Sequence, residues 1–327
     1  MAAAAGRTCV LTGATSGIGL ATAAALAERG MRLVLVARSA ARAELALEAI
    51  RRRAPAARVD VESADLASLR SIAEAAPRIL ARCPRIDVLL NNAGVVLLRR
   101  EITVDGYEKT FAVNHLAYFA LTHLLLERIV ATPGGRIVSV ASDAHRFGGP
   151  LDFDDLQSER RYRGLAVYGR SKLCNILWTR ELARRLAGRG ATANCCHPGG
   201  VATRLGQTDA AWTRALGKLF GLFLLTPEQG ARTPVYLATA PGLGSVSGRY
   251  FAKEREVTPA RFARDDAAAR RLWEVSETLV ARALEREADA APASSAQGSG
   301  KNASHSGWNT AAAAESPEQQ SRPSRPT

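Results

Sequence analysis

Short apolar runs rich in β-branched residues alternate with longer Ala- and Leu-rich segments from residue 7 to about residue 286. The runs are Thr8–Leu11, Arg32–Val36, Arg58–Val61, Asp87–Leu90, Arg136–Val140, Thr192–Cys196 and Gly248–Phe251. Between them lie stretches of helical length such as Leu20–Arg29, Ala41–Arg53, Leu69–Leu80, Leu116–Val130 and Leu173–Leu186. Strands separated by helices build right-handed βαβ units, which lay the strands side by side in a parallel sheet. Leu33–Val36 and Val88–Leu90 are apolar at every position, as a strand covered on both faces requires. The pattern predicts an α/β domain over residues 1–286, a single doubly wound parallel sheet with helices on both faces. No internal repeat interrupts it. Residues 287–327 turn to Ala, Ser, Pro, Gln and Gly, with Trp308 the one large apolar side chain. Such a segment cannot bury enough surface to offset its ordering entropy, so a disordered tail is expected there.

Composition narrows the class. Hydrophobic residues at 47% and charged residues at 23% are ordinary for a globular chain and exclude a wholly disordered or collagen-like one. No apolar run approaches the ~20 residues of a membrane-spanning helix. Met1–Gly6 lacks the charged and apolar regions of a signal peptide, and a cytoplasmic location is expected. Cys9, Cys83, Cys174, Cys195 and Cys196 are odd in number and scattered, the usage of a reduced protein rather than a disulfide framework. The net charge of +13 is the one oddity. Lys301, Arg322 and Arg325 against Glu315 and Glu318 leave nearly all of it on the folded domain. A nucleic-acid surface would gather such charge on one face, whereas here the arginines are spread over most predicted helices, so no nucleic-acid partner is expected.

The candidate chemistry sits where strands meet helices. The first strand runs into Thr12-Gly13-Ala14-Thr15-Ser16-Gly17-Ile18-Gly19, and a helix follows. Glycines there let the backbone turn tightly against a pyrophosphate held at the helix N-terminus, which makes Gly13, Ser16, Gly17, Ile18 and Gly19 candidate cofactor contacts. The next strand ends Val36-Ala37-Arg38, about twenty residues on, where an acid would bind the ribose of NAD and an arginine suits the 2′-phosphate of NADP. Arg38 therefore points to NADP(H) as the preferred cofactor, with NAD(H) left open. Tyr168 and Lys172 are spaced i, i+4 and share one helix face. A phenol is a poor base at neutral pH, and a neighbouring ammonium favours its ionised form. Ser142 follows the strand Arg136–Val140, at the edge where open α/β sheets bind ligands. Asn91-Asn92-Ala93-Gly94 ends the fourth strand at that edge, and Asn114 lies in the helix after it.

Thr12–Gly19, Asp65-Leu66, Asn91–Gly94, Asn114, Ser142, Tyr168-x-x-x-Lys172 and Pro198-Gly199-x-Val201-x-Thr203 occur together and in order. In that ordered set the chain resembles the short-chain dehydrogenase/reductase superfamily from residue 7 to about 285. Phe111-Ala112-Val113-Asn114-His115-Leu116, Ser171-Lys172-Leu173-Cys174-Asn175 and His197-Pro198-Gly199 resemble its retinol dehydrogenase-like branch. The resemblance implies a Rossmann-type fold and an NADP(H)-dependent oxidoreductase interconverting a small apolar alcohol and its aldehyde or ketone. It implies Tyr168 as general acid or base, Ser142 polarising the substrate oxygen, Lys172 lowering the Tyr168 pKa and holding the nicotinamide ribose, and Asn114 holding a water of a proton relay. It further implies Asp65 and Leu66 beside the adenine, Asn92, Ala93 and Gly94 along the cofactor, and Val201 and Thr203 at its carboxamide and pyrophosphate end. Members of the superfamily commonly pair through the helices carrying Asn114 and Tyr168, so a homodimer is implied without being specified. Two departures bear on substrate choice: Ala141 where the branch often has serine, and Ala117-Tyr118 where it often has Gly-His.

Other features weigh less. The intact Asn114–Ser142–Tyr168–Lys172 set argues against the alternative of a catalytically weak, NADP-sensing regulatory protein of the same fold. Cys195-Cys196-His197 ends a strand and has no second Cys/His pair at ligand spacing, so core packing is expected and no metal. His115, His123 and His145 are read as packing or hydrogen-bonding residues. Leu216–Leu225 is too short to span a bilayer, and a substrate lid ranks ahead of a core helix or a peripheral membrane contact. Branch relatives often carry an N-terminal membrane helix, which is not expected in a chain starting six residues before its first strand.

Overall fold

The computed structural model describes residues 4–199 and 225–290. Val201, Thr203 and the lid segment up to residue 224 lie outside the described residues, as does the tail from 291. Eight strands form one sheet in the order β3-β2-β1-β4-β5-β6-β7-β8. They are β1 (Thr8–Thr12), β2 (Arg32–Ala37), β3 (Val59–Ser63), β4 (Val88–Asn91), β5 (Gly135–Val140), β6 (Ala191–His197), β7 (Tyr250–Ala252) and β8 (Arg255–Glu256). The order reverses after β3, so β1 and β4 part at a topological switch point, where sheets of this kind bind ligands. All neighbours are parallel except β7 and β8, a hairpin absent from the sequence expectation. Its turn residues Lys253 and Glu254 both take positive φ (50° and 61°) without glycine or asparagine, so the usual hairpin signal was missing.

The helices are α1 (Gly17–Glu28), α2 (Ala40–Arg53), α3 (Leu69–Arg82), α4 (Lys109–Phe111), α5 (Ala117–Val130), α6 (Gly164–Arg185), α7 (Pro227–Thr239) and α8 (Asp266–Ala290), with a π-helical segment, Ala112–Leu116, joining α4 to α5. Two boundaries differ from the sequence reading. The helix expected from Leu173 starts at Gly164, and the last helix continues past 286 to Ala290.

Alternation along each strand feeds two cores. Val10, Val34, Leu89, Ile137 and Cys195 face one side with Ile72 of α3, Leu121 of α5, Trp178 of α6 and Leu272 of α8. Cys9, Leu11, Leu33, Leu90, Val138 and Cys196 face the other with Ala23 and Leu26 of α1, Ile50 of α2 and Val235 of α7. Period-two strands between two helical layers produce this split. It also settles the vicinal cysteines: Cys195 and Cys196 point into opposite cores, and burial pushes both thiols up, Cys195 to about 12.

Much of the positive charge is paired on the surface: Arg32 holds Asp60 at 2.7 Å, Arg53 holds Glu28 at 2.8 Å, and Arg78 holds the buried Glu62 at 2.6 Å. None of the described helices is long and apolar enough to cross a membrane.

Leu89 is fully buried on β4, one of the two strands that frame the switch point. Leu89→Ala is expected to lower the unfolding free energy by about 2–5 kcal/mol, the range for a buried leucine truncated beside a core that relaxes little. Urea denaturation measures it, and a loss well below 1 kcal/mol would contradict this packing.

Candidate active site

The first strand delivers Thr12 and the glycine turn to the C-terminal edge of the sheet. Thr12 Oγ1 accepts from the amides of Asn92 and Ala93 at 3.0 and 3.1 Å, and Asn92 Nδ2 donates to the carbonyls of Thr12 and Gly13 at 3.0 and 3.2 Å. The ends of β1 and β4 are thereby laced together. A Cβ on Gly13 would lie 2.7 Å from Ala93 Cα, and one on Gly19 would lie 2.1 Å from the Gly13 carbonyl oxygen. Those two glycines are demanded by the turn's own packing, and Gly17 by a φ of 54°. The product is a helix N-terminus with no side-chain cap at Ser16 and no acid in its first turn. Unsatisfied main-chain amides at a positive dipole end suit a phosphate group, so this cradle fits a dinucleotide.

Arg38 follows β2 at the same edge. Its Nη1 lies 3.6 Å from Asp65 Oδ2, and both side chains are exposed, at 64% and 41%. The acid missing from the end of β2 is thus supplied from beyond β3. Asp65 is itself oriented by the Ala67 amide, which donates to its Oδ1 at 3.0 Å. Leu66 packs on the core beside it.

On the other side of the edge, α6 carries Tyr168 and Lys172. Lys172 is buried, and its Nζ donates to the Val140 carbonyl at 2.9 Å. It also lies 5.7 Å from the ring centroids of both Tyr118 and Tyr168. Burial lowers this amine from its ordinary value to about 7. Tyr168 is raised by burial, and the Ser142 hydroxyl, hydrogen bonding to it, is what opposes the rise.

Ser142 lies two residues past β5. What brings it to Tyr168 is glycine: a Cβ on Gly169 would stand 2.6 Å from the Ala144 carbonyl oxygen, and one on Gly148 would stand 2.5 Å from the Arg170 amide nitrogen. The segment after Ser142 therefore lies backbone to backbone on α6.

Asn114 occupies the π-helical segment and is fully buried. Its Nδ2 donates to the Val95 carbonyl at 3.0 Å and to Ser171 Oγ at 2.9 Å, while Oδ1 accepts from the Val95 amide at 2.8 Å. Both amide hydrogens are used within the protein, so a relay water has only the second Oδ1 lone pair to meet on this side chain. A Cβ on Gly94 would approach Asn114 Oδ1 and Lys172 Nζ to 3.4 Å each, and glycine keeps that gap open. Tyr118 adds a wall: buried, with its hydroxyl donating to the Ala93 carbonyl at 2.7 Å.

Asn114, Ser142, Tyr168 and Lys172 thus converge on one end of the sheet, opposite the glycine turn, with Asn92, Ala93 and Gly94 between. The short chain dehydrogenase family model matches residues 7–214. The chain belongs to that family. Within the family it falls in the retinol dehydrogenase-like branch. Human retinol dehydrogenase 14 is 44% identical over 294 residues, covering 84% of this chain and 86% of the relative. A solved structure of a putative uncharacterized protein from Mycobacterium paratuberculosis matches with a TM-score of 0.68 at 33% identity, covering 85% of this chain and 94% of that one. A putative NAD(P)-dependent gluconate 5-dehydrogenase from Beutenbergia cavernae, solved with NADP bound at low occupancy, matches with a TM-score of 0.63 at 30% identity over 76% of this chain and 95% of that one.

Four contributors to this short-chain dehydrogenase site escaped the sequence reading. Thr12 and Tyr118 act through single hydroxyls whose partners are main-chain atoms far along the chain. Gly148 and Gly169 act through close approach, and the only trace in sequence is a glycine beside each of Phe147 and Tyr168. His115, in contrast, meets its structural reading: its Nε2 bonds Ser276 Oγ at 2.7 Å, and burial pushes it down to about 3.

The buried amine has a consequence for stability. Lys172 titrates near 7 when folded and near its ordinary ~10.4 when unfolded, so unfolding takes up a proton between those values. The penalty is complete below the folded value and fades as pH climbs towards 10. Lys172→Met is expected to raise the thermal midpoint of the unliganded protein, and by more at pH 6 than at pH 10. Thermal unfolding at the two pH values measures it, and an equal effect at both would contradict a buried ammonium.

Proposed function

We propose that this chain is an NADP(H)-dependent oxidoreductase that interconverts an apolar alcohol and its aldehyde or ketone. The observation carrying the proposal is the convergence of Tyr168, Ser142 and a buried Lys172 across the sheet edge from an uncapped, acid-free helix N-terminus. The first group can exchange a proton with an oxygen, and the second can hold a dinucleotide's phosphates. Retinol dehydrogenase 14 lends its name to the substrate class, and the NADP-bound relative to the cofactor.

Gly13, Ser16, Gly17, Ile18 and Gly19 would hold the pyrophosphate by main-chain amides. Asp65 and Leu66 would flank the adenine, Asn92 to Gly94 would line the middle of the cofactor, and Val201 and Thr203 would take its carboxamide and pyrophosphate end. Arg38 would take the 2′-phosphate. Its pair with Asp65 at 3.6 Å is exposed on both sides, a kind of ion pair worth at most about 1 kcal/mol, so the guanidinium is readily redirected to a dianion. When bound, the nicotinamide supplies or accepts the hydride. The chain's own part is with the oxygen and its proton. Ser142 hydrogen-bonds and polarises the substrate oxygen. Tyr168 gives that oxygen its proton in reduction and takes it back in oxidation. Lys172 would hydrogen-bond the ribose hydroxyls and, as a cation in a low-dielectric pocket, would favour the Tyr168 phenolate over the phenol.

The test is consumption of NADPH, and separately NADH, with retinal, steroid ketones and medium-chain aldehydes. NADPH is expected to be favoured, and Arg38→Ala to erase about tenfold or more of that preference, the worth of one charge-assisted contact. Comparable rates with NADH in the wild type would remove the NADP assignment. Tyr168→Phe is expected to reduce kcat by about 10²–10⁴-fold, the usual contribution of a general acid or base. Normal turnover by that variant would overturn the proton-transfer role.

A further inference from the structure

We infer that His145 and His197 are positioning residues for Ser142, two neutral imidazoles in opposite tautomers that hold the turn after β5 from both sides. The inference rests on the role proposed above for Ser142.

Ser142 is beyond the sheet's support. The last ladder bond of its strand is donated by the Ala141 amide to the Cys196 carbonyl at 2.8 Å. Ser142 then takes an extended backbone, and its Oγ accepts from the Ala144 amide at 3.2 Å as cap of a short 3-10 turn, Asp143–Arg146. Its carbonyl accepts from the His145 amide at 3.1 Å and lies 2.8 Å from His145 Nδ1.

The other nitrogen of His145 decides the tautomer. Nε2 lies 3.1 Å from the amide nitrogen of Ala260, which can only donate. Nε2 must therefore present its lone pair, and Nδ1 must carry the hydrogen, donating it to the Ser142 carbonyl. The ring is fully buried, edge-on to Tyr250 with centroids 5.4 Å apart. It ties the serine turn to the chain just before the 3-10 turn Arg261–Arg264.

His197, the last residue of β6, does the converse. Its Nδ1 accepts from the amides of Asp143 and Gly199, each at 3.3 Å. Two donors on one nitrogen require Nδ1 to be bare, so the hydrogen sits on Nε2. The residues on either side of the Ser142–Asp143 peptide are thus gripped by different histidines from different parts of the fold.

A second proton on either ring would oppose donor to donor, at Ala260 for His145 and at both amides for His197. The cations around the rings act in the same direction, and Asp143 opposes them. Arg146 faces both rings, and Lys253 faces His197. Asp143, the acid near both, is engaged by Arg146 Nε at 2.9 Å. Burial lowers both histidines from their ordinary value, and each ring also faces the other or the Tyr250 ring. At neutral pH both rings stay uncharged and both grips stay closed.

The experiment pairs spectroscopy with kinetics on the full chain. A long-range proton–nitrogen spectrum at pH 7 is expected to show His145 protonated on Nδ1 and His197 on Nε2, the signals assigned by single His→Phe variants. With retinal or a medium-chain aldehyde and NADPH, His145→Phe is expected to lower kcat by about 10²-fold, as a shift of about 1 Å at a reacting group does, with the KM for NADPH unchanged. His145→Asn, whose amide hydrogens replace Nδ1–H, is expected to recover most of that loss. The acid limb of the wild-type kcat profile is expected to become shallower in His145→Asn, the titrations of His197 and Lys172 being retained. Either histidine in the other tautomer, a cationic ring at pH 7, or full kcat in His145→Phe would overturn the inference. Should His145→Phe not fold, the wild-type tautomers and the pH profile of His145→Asn decide it. Full kcat in Ser142→Ala would instead bring down the proposed role of Ser142, and an impaired Ser142→Ala beside an unimpaired His145→Phe removes only the histidines.

Discussion

A primary amine with 3% of its surface exposed must be held by whatever surrounds it, and most of the active edge is arranged around Lys172. The Val140 carbonyl, freed where β5 stops, takes one of its hydrogens. The rings of Tyr118 and Tyr168 supply two π faces at 5.7 Å, each a weak substitute for water around a cation. Glycine at 94 leaves the remaining side open towards the cofactor cradle. None of these is a full counter-charge, which is why burial dominates and brings the amine to about 7. An anionic partner in the cradle, or a phenolate at Tyr168, would restore the missing compensation. In the proposed reaction the cost of burying the amine would be offset by an affinity for the anionic groups that come to it.

The same edge shows how the two halves of the site are kept in register. On the side of the glycine turn the clasp between Thr12, Asn92 and Ala93 fixes the turn against β4. On the side of Tyr168 the contact is between backbones, through Gly148 and Gly169. Between them stands Asn114, whose side chain hydrogen-bonds both to Val95, just beyond Gly94, and to Ser171, one residue before Lys172. The wider turns of a π-helical segment recur at functional positions because they place a side chain off the regular helical register. Here that displaced side chain bridges the halves.

The fold was legible because short β-branched runs alternate with segments of helical length, and the runs in β2 and β4 are apolar on both faces, a pattern with few rival readings. The candidate site residues were legible as an ordered set, a glycine turn and polar side chains at strand ends together with Asn114 and the Tyr168–Lys172 pair on helices. What escaped was of another kind. The β7–β8 hairpin turns on Lys253 and Glu254, residues that carry no turn signal. Gly169 looks like an ordinary helical glycine until the segment after Ser142 is laid against it. His145 looks like a packed histidine until the Ala260 amide, more than a hundred residues away, is seen to fix its tautomer. Long-range main-chain contacts leave no local pattern, whereas side-chain chemistry at a strand end does.

The surplus of arginine finds its explanation in the same distinction. Several guanidinium groups meet carboxylates across element boundaries, as Arg32 of β2 meets Asp60 of β3 and Arg78 of α3 meets Glu62, or cap carbonyls, as Arg136 of β5 does at Leu237. Arginine's planar fork suits such bridges better than lysine's point charge. Arg38 differs in being matched at 3.6 Å to an acid that is itself tied to the Ala67 amide, with both groups in water. A pair that loose gives little to stability and little resistance to exchange. The features that make Arg38 unremarkable as a structural residue are those that leave its guanidinium available to a phosphate arriving at the end of β2.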